Sequence, residues 1–563
     1  MKYSIIKKIT GIVLLGFIFD SCSDDILDFQ PIAAENSSSF YLTMSQAEQA
    51  VTAAYSTLAH IANWDRDVVM IFGDVPSDDC ESGGDFENEV PNFEEFNRMT
   101  HLPSNNSLRD VYGVLFRGVY FSNLAMEKIS NVVNTDPNAD AGLIEKRLGE
   151  LKFLRALNYL YLTHIYGEVP FVDHVLGAEE YNQPRSAFRA LFDLIESDLK
   201  SAISVLPERW PSVSIDETRK LRLGADVGRA TKGAAKALLA RMYLFESSYA
   251  RNYPGDSRFE GLRERWDEAL DYSEQVINSG EYNLVGIEGD TFNTWWGPNT
   301  NGYRYIFTVE GDNCLESIFE IQYIQDLLGY GYTRAGSLVQ WTSARWCLKG
   351  TEPSRTPYWG LGWPTESLAS SFETGDPRFK VAIATEGDSI EVSEGERYPI
   401  YFDNYHCPTG YYQRKYELAG SQFQDLLRGW HNSPYNIKLI RLGEVYLNAA
   451  EAAFMLNDNA KALNYINTVR TRARNCGNTG VPTDLTGNVT FEQLVNERRV
   501  ELSCEGHRFF DLVRWNLAKQ YIDGSTTAGG FPIVFESPKN DFMPLPANEV
   551  SLSGGVLKQY SGW

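Results

Sequence analysis

The sequence predicts a mainly α-helical protein: a tetratricopeptide-like scaffold of helix pairs interrupted by one loop-rich, mixed subdomain. Three observations predict it. Apolar residues recur at helical spacing over long stretches on both sides of the chain. Between residues 186 and 278 a helix, a short connection and an alanine-rich helix recur at the length scale of tetratricopeptide-like pairs, against the plainer reading of an irregular helical domain. From Asn283 to Asn436 that period is lost among Gly, Pro, Trp and Tyr.

In chain order, residues 1–21 read as an export leader. Lys2, Lys7 and Lys8 form a basic start, and the apolar run Ile9 to Phe19 is too short for a permanent membrane span. Ser21-Cys22 follows where cleavage and acylation of a thiol would fall, with Asp20 an unusual neighbour for such a site. The expectation is a lipoprotein anchored at Cys22, with plain secretion or an uncleaved anchor as the competing readings. Residues 22–42 form the lipidated tether, with Asp24, Asp25 and Asp28 in its first turns.

Residues 43–282 form the N-terminal helical part. Thr43 to Ile61 predicts a helix with Thr43 as cap and Gln46 as capping-box partner. Leu108 to Val132 and Leu143 to Tyr166 follow, the second stopped by Gly167 and Pro170. Ser186 to Leu206 comes next. Residues 229 to 249 then carry Gly233, Ala234, Ala235, Ala237 and Ala240, where a neighbouring helix can approach closely, before Trp266 to Asn278. Residues 283–436 form the loop-rich aromatic insert. Residues 437–563 complete the scaffold: Ile437 to Met455 and Asn459 to Arg474 joined by Leu456-Asn457-Asp458, then Phe491 to Glu505 and His507 to Tyr521 around Gly506.

Composition narrows function. The chain has 563 residues, a formal charge of −24 and no concentrated basic patch, so its field repels phosphate backbones and nucleic-acid binding is not expected. Six cysteines beyond Cys22 are scattered without a CxxC, which argues against a zinc knuckle or a redox pair, and no disulfide pairing follows from spacing. No GxSxG elbow, HExxH helix, Walker sequence or GxGxxG loop is present, so the chain does not read as an enzyme, and no cofactor is expected. What stands out is aromatic content, 12 Trp, 31 Tyr and 30 Phe, with many rings in Gly/Pro-rich stretches.

Several segments, in order, resemble the SusD/RagB family of outer-membrane nutrient-binding lipoproteins from Bacteroidetes. They are CSDDILDFQP (22–31), YGEVPFV (166–172), RATKGAAKALLARMYLF (229–245), GWPTESLASSFETGDPRF (362–379) with its Asp376-Pro377-Arg378 turn, IKLIRLGEVYLNAAEAAF (437–454), YINTVRTRA (465–473), ERRVELSCEGHRFFDLVRW (497–515) and FMPLPANEV (542–550). The resemblance spans nearly the whole chain. It implies four tetratricopeptide-like pairs, a variable portion for ligand recognition, lipid anchoring in the outer membrane with exposure at the cell surface, and a SusC-like TonB-dependent barrel as partner. It further implies non-catalytic capture of an oligosaccharide for import. The alternatives are a peptide-binding RagB-like lipoprotein, or a structural lid with little ligand affinity of its own.

Sugars offer C–H-rich pyranose faces and hydroxyl-rich edges, so a binding site needs flat rings beside short polar groups. In the insert, Trp295 and Trp296 before Gly297-Pro298, then Tyr303, Trp341, Trp346 and Trp359, meet the first need; the plainer reading is that most of these rings staple the insert together. The resemblance also places ligand contacts after the first helix, where Trp64, Asp74 and Asp78 are candidates, with Asp79 and Asp85 nearby. Carboxylates there accept from hydroxyls, but their spacing is not that of an EF-hand, so no metal site is expected. Glu497, Glu501 and Glu505 recur every four residues, followed by Arg508, Asp511 and Arg514. Three glutamates on one helical face need cations to relieve their repulsion, so this cluster reads as an internal ion network fastening helices, with Arg498, Arg470 and Arg472 as further partners.

Overall fold

A computed structural model describes residues 40–61, 67–85, 89–324, 336–393, 396–417, 433–477 and 479–563. The first helix, α1 (Met44–Ser56), starts at the predicted cap: the Thr43 hydroxyl accepts from the Gln46 amide (3.3 Å) and the Gln46 side chain accepts from the Thr43 amide (3.2 Å). Ala47, Ala50, Val51 and Ala54 form its buried stripe, and its predicted last turn tightens into a 3₁₀ segment, Thr57–His60.

Long helices then follow in succession: α2 (Asn106–Ile129), α3 (Ala141–Tyr166), α4 (Phe188–Val205), α5 (Lys232–Asn252) and α6 (Trp266–Ile277). Each packs on the one before it, which gives the stacked helix pairs expected of a tetratricopeptide-like array. Helix α3 is buried on nearly all sides, between α2, α4 and α1. Gly118 lets α2 approach it, since a Cβ there would stand 2.4 Å from the Asn158 side-chain oxygen. In α5 the predicted small residues Gly233, Ala234, Ala235, Ala237 and Ala240 are all buried.

The chain leaves this stack at Ile277 and returns to it at Leu442. Helix α7 (Leu442–Met455) packs directly on α6, so the stack continues across the intervening insert. Helix α8 (Asn459–Asn475) follows through the predicted tight turn, in which Asn457 takes a left-handed conformation (φ 62°) and Asp458 caps by accepting from the Lys461 amide. Then come α9 (Phe491–Glu501) and α10 (Arg508–Arg514).

Two boundary expectations are corrected. Ile437–Arg441 is not the first turn of a helix but a fully buried strand, antiparallel to Ser317–Ile321 (Ile437 opposite Ile321, Lys438 opposite Glu320). Its β-branched isoleucines suit a pleated core, and pairing with a distant segment overrides the apolar period of IKLI. Further on, the helix expected to reach Glu505 stops at Glu501, because Cys504 (φ 59°) and Gly506 (φ 79°) turn left-handed. The helix expected to reach Tyr521 breaks at Asn516 (φ 57°), leaving α10 and the short helix Ala518–Ile522.

The insert is assembled from short helices and two-stranded antiparallel sheets; among the described residues no sheet has a third strand. It is not poorly cored. Trp341, Tyr358, Trp363, Tyr412 and Tyr416 join the same apolar core as the scaffold helices. Besides the pairing of Ile437–Arg441 with Ser317–Ile321, a second two-stranded sheet reaches outside the insert: Cys80–Gly83, after α1, pairs with Leu361–Pro364 (Cys80 opposite Pro364, Gly83 opposite Leu361). That pairing brings the acidic segment after α1 to the aromatic insert.

Candidate functional site

Just past that pairing, Asp85 meets the hairpin Trp346–Lys349/Glu352–Arg355. The Trp346 indole N–H donates to Asp85 Oδ1 (2.6 Å), and the half-buried ring lies 4.4 Å from that of His406 at 53°. Tyr405, 64 % exposed, meets His406 edge-on (5.0 Å, 87°), and Tyr401 lies 6.1 Å from it. Asp403 fixes this loop by accepting from the backbone amides of Tyr405 (2.8 Å) and His406 (2.6 Å) and pairing with His406 Nδ1 (2.7 Å). Slight burial pushes the Asp403 carboxyl up, but these bonds hold it at about 2, so it is ionised in neutral solution. The result is a surface platform of one indole, one imidazole and two phenols beside two carboxylates.

Behind the platform, Trp359 is half-buried and packs against Trp341 (5.2 Å, 54°), which is 4 % exposed. Arg345 lies near the Trp359 ring (5.3 Å) and is anchored to Glu89 through Nη2 (2.7 Å). The platform is therefore backed by a buried, charge-paired wall, which limits its rearrangement.

A second concave region lies at the hairpin Thr291–Thr294/Gly297–Asn301, whose turn carries Trp295 and Trp296. Both indoles are half-buried, 4.5 Å apart at 40°. Their backbone amides donate to Glu310 Oε1 and Thr294 Oγ1, both at 3.1 Å. Trp296 packs against Arg304 (3.8 Å) and Arg414 (4.4 Å) and lines a cleft of about 1010 Å³ with Phe379, Lys380 and Asp388. The Asp376-Pro377-Arg378 turn forms part of its rim. There Asp376 caps the short helix Pro377–Ala382 and pairs with Arg378 (2.7 Å).

Other residues expected at a ligand surface lie inside the fold. Tyr303 is 1 % exposed and its hydroxyl donates to the Glu501 carbonyl (2.9 Å). Asp74 is 1 % exposed and accepts from the Gly506 amide (3.1 Å), where a Cβ on Gly506 would stand 2.6 Å from Val69 Cα. Burial pushes the Asp74 carboxyl well up. Asp78 is bound by Arg508 (2.8 Å) and Arg499 (2.9 Å), so its acceptors serve the junction between the segment after α1 and α10. Trp64 and the lipidation candidate Cys22 lie outside the described residues.

The glutamate series belongs to a buried ion network with more partners than its own segment supplies. Glu497 pairs with Arg378 and Arg470 (both 2.6 Å). Glu501 accepts from Arg441 (2.6 Å), Arg378 (3.1 Å) and Arg472, and Glu505 from Arg441 and Lys415 (both 2.6 Å). Glu316 closes the ring onto Arg441 (3.0 Å) and Arg472 (2.7 Å). Burial alone would raise the Glu501 carboxyl, but Arg472, Arg441 and Arg378 hold it well below the usual carboxylate range. Asp511 pairs with Arg498 (2.6 Å) and Arg514 (2.8 Å) in a neighbouring group, while Arg508 turns away to Asp78. Charges this well paired and enclosed fasten segments and have no route to a substrate.

Sequence reasoning missed Tyr401, Asp403, Tyr405 and His406 at the platform and Arg304, Asp388 and Arg414 at the cleft. The first four stand in YFDNYHCPTGYY, where aromatic density beside Pro and Gly was the available signal. Among the described residues no group of three or more His, Cys, Asp or Glu could hold a metal ion. Cys80, Cys314, Cys347, Cys407, Cys476 and Cys504 are buried, unbridged thiols. No helix of the described residues is long and apolar enough to cross a membrane.

A helix-pair stack carrying a loop-rich aromatic subdomain places the chain among tetratricopeptide-like helical scaffold proteins. Two family models define it further: one described as the SusD family matches residues 316–563, and one described as "Starch-binding associating with outer membrane" matches residues 85–244. The chain belongs to the SusD/RagB family. It is similar to SusD-like protein P25 of Formosa agariphila, 24% identical over 575 residues and 98% of both chains. It is also similar to the starch-binding protein SusD of Bacteroides thetaiotaomicron, 24% identical over 474 residues, 79% of this chain and 76% of that one. Among solved structures, surface glycan-binding protein A of B. thetaiotaomicron in complex with laminarihexaose shares the fold at TM-score 0.70 and 21% identity, covering 92% of this chain and 99% of that one. A laminarin-binding SusD-like protein does so at TM-score 0.69 and 24% identity, covering 92% and 100%.

Proposed function

We propose that this protein captures an oligosaccharide at the cell surface without cleaving it and delivers it to a SusC-like TonB-dependent barrel, anchored in the outer membrane through a lipid on Cys22. The observation that carries the reading is the platform of Trp346, His406, Tyr401 and Tyr405 flanked by Asp85 and Asp403. It offers flat rings for pyranose faces and fixed acceptors for hydroxyls, at the surface and on a charge-paired support. Membership in the SusD/RagB family supports it. So do the similar proteins described as bound to laminarihexaose, laminarin-binding and starch-binding. Trp359 backs that surface, and Trp296, with Trp295 packed beside it, forms a separate contact region at the cleft.

Calorimetric titration against a panel of neutral glucans and peptides tests the reading. A glucan that binds, loses affinity in Trp346→Ala and is recovered unhydrolysed supports it. Binding confined to peptides replaces it with the RagB-like alternative. Co-purification with a barrel in the absence of any ligand affinity replaces it with the lid.

A further inference from the structure

Deeply buried arginines in this protein are paired. Arg345, Arg378, Arg441, Arg472, Arg498 and Arg514 are each 2 % exposed or less, and each holds a carboxylate. Arg304 departs from the pattern. It is 5 % exposed on the short helix Gly302–Ile306, and its Nη1 donates to the carbonyls of Arg414 (2.6 Å) and Val381 (3.2 Å). Its Nε and Nη2 have no hydrogen-bond partner among the described residues. Those two atoms form the edge of a guanidinium that a carboxylate takes side-on, as Asp198 does with Arg155 through Nε (2.7 Å) and Nη2 (2.8 Å).

The carboxylates around the Trp296 cleft are already engaged. Asp388 serves Lys380 and Arg414 (both 3.1 Å), Glu417 serves Arg414 (3.1 Å), Asp376 serves Arg378, and Glu373 serves Arg470. Burial pushes the Arg304 guanidinium down to about 9, opposed by Glu417, so it is still charged at neutral pH and lacks a counter-ion of its own. Directly over it, at 3.8 Å, lies the Trp296 indole, whose own Nε1 is also without a partner. Lys380 stands exposed at the rim beside Phe379.

We propose that this cleft is a second saccharide site, selective for an acidic sugar, in which a uronate carboxylate takes the Nε–Nη2 edge of Arg304 and the pyranose ring lies against Trp296 and Phe379. The inference rests on the saccharide-binding reading above but uses a different surface. Because both fork nitrogens are buried, the carboxylate reaches them as the stacked Trp296 ring shifts, loosening a cation–π contact in favour of a bidentate, charge-assisted pair. Lys380 draws the anion in. The acidic character of the whole chain opposes this only weakly, since charges beyond about 8 Å are screened at physiological ionic strength.

Titration of the full-length lipoprotein in detergent with trigalacturonate, followed by tryptophan fluorescence, tests the proposal. The acid is expected to bind at least tenfold more tightly than its methyl ester. Lys380→Ala, on an exposed side chain, should weaken it three- to tenfold, and Arg304→Lys at least tenfold, while Trp346→Ala leaves it unchanged. Thermal melts establish that each variant is folded. A methyl ester that binds within twofold of the acid overturns the proposal. So does an affinity that neither Lys380→Ala nor Arg304→Lys moves, and so does tighter binding of a sulfated glucan or an acidic peptide. Neutral glucan binding that Trp346→Ala weakens, with trigalacturonate silent, ends this inference alone; silence of both sugars ends the saccharide reading as well.

Discussion

The ion network around Glu501 and the aromatic insert handle buried polarity in opposite ways. Around Glu501 the protein encloses full charges and matches each with a partner from another segment. In the insert it encloses rings such as Trp341 and Trp363, leaves Trp346 and Trp296 half-buried and exposes Tyr405. The first arrangement specifies one geometry, because any displacement strands a charge at low dielectric. The second fills space with shapes that tolerate exchange while presenting faces to a ligand. Residue type alone therefore says little here; what separates support from surface is how far each ring is enclosed, Trp341 and Trp363 being buried and Tyr405 open.

Four measurements break or sharpen this contrast, from the largest effect down. Arg472→Met strips Glu316 and Glu501 of a shared partner and is expected to cost about 3–5 kcal/mol in denaturant unfolding. A cost below about 1 kcal/mol would mean that the network adds little. Trp341→Ala, in the wall behind the platform, should lower stability by about 3–5 kcal/mol as well, through the cavity it leaves.

The third is a slope. His164 is buried against Phe245 (3.9 Å), and burial pushes its imidazole down to about 3. Below pH 6.5 the unfolded chain therefore takes a proton that the folded one refuses, and the wild type loses stability as pH falls from 6.5 toward 3. His164→Gln removes that one contribution. The stability difference between variant and wild type should move in the variant's favour by about 1.4 kcal/mol per pH unit across the window. Parallel curves would contradict the assignment.

Last and smallest, Trp346→Ala should weaken glucan affinity about tenfold, equivalent to about 1.4 kcal/mol, with less effect on unfolding than Trp341→Ala. Tyr405→Ala, more exposed and at the edge, should weaken it by about threefold. Equal stability losses for the Trp341 and Trp346 variants would erase the distinction between wall and platform.

What could be read from the sequence was local. The Thr43–Gln46 cap, the Asn457 turn and the small residues of α5 act over a few residues, and the structure places each as expected. The strand Ile437–Arg441 escaped because its partner, Ser317–Ile321, lies more than a hundred residues away and leaves no mark in the segment's own period. Long separations along the chain likewise hid Arg378, Arg441 and Lys415 as partners of the glutamate series, and Glu316 as a further carboxylate on the same arginines, although a need for cations was evident from the four-residue spacing. At the platform Trp346 was named but Asp403, Tyr405 and His406 were not, since only the fold of that loop shows which rings face outward. Asp74 and Asp78 show the converse: carboxylates expected at a ligand surface are taken by a backbone amide and two arginines.

The way Glu501 is shared carries a consequence for anyone redesigning this protein. Its cations arrive from the end of one strand (Arg441), from α8 (Arg472) and from the Asp-Pro-Arg turn of the insert (Arg378). A recognition module cut at Ile277 and Leu442 and moved into a relative would carry Arg441 and Arg378 away from Glu501, leaving Glu501 in the donor with Arg472 alone. Transplants that carry α8 and α9 with the insert keep that junction whole, so ligand preference and half of the scaffold must travel as one piece.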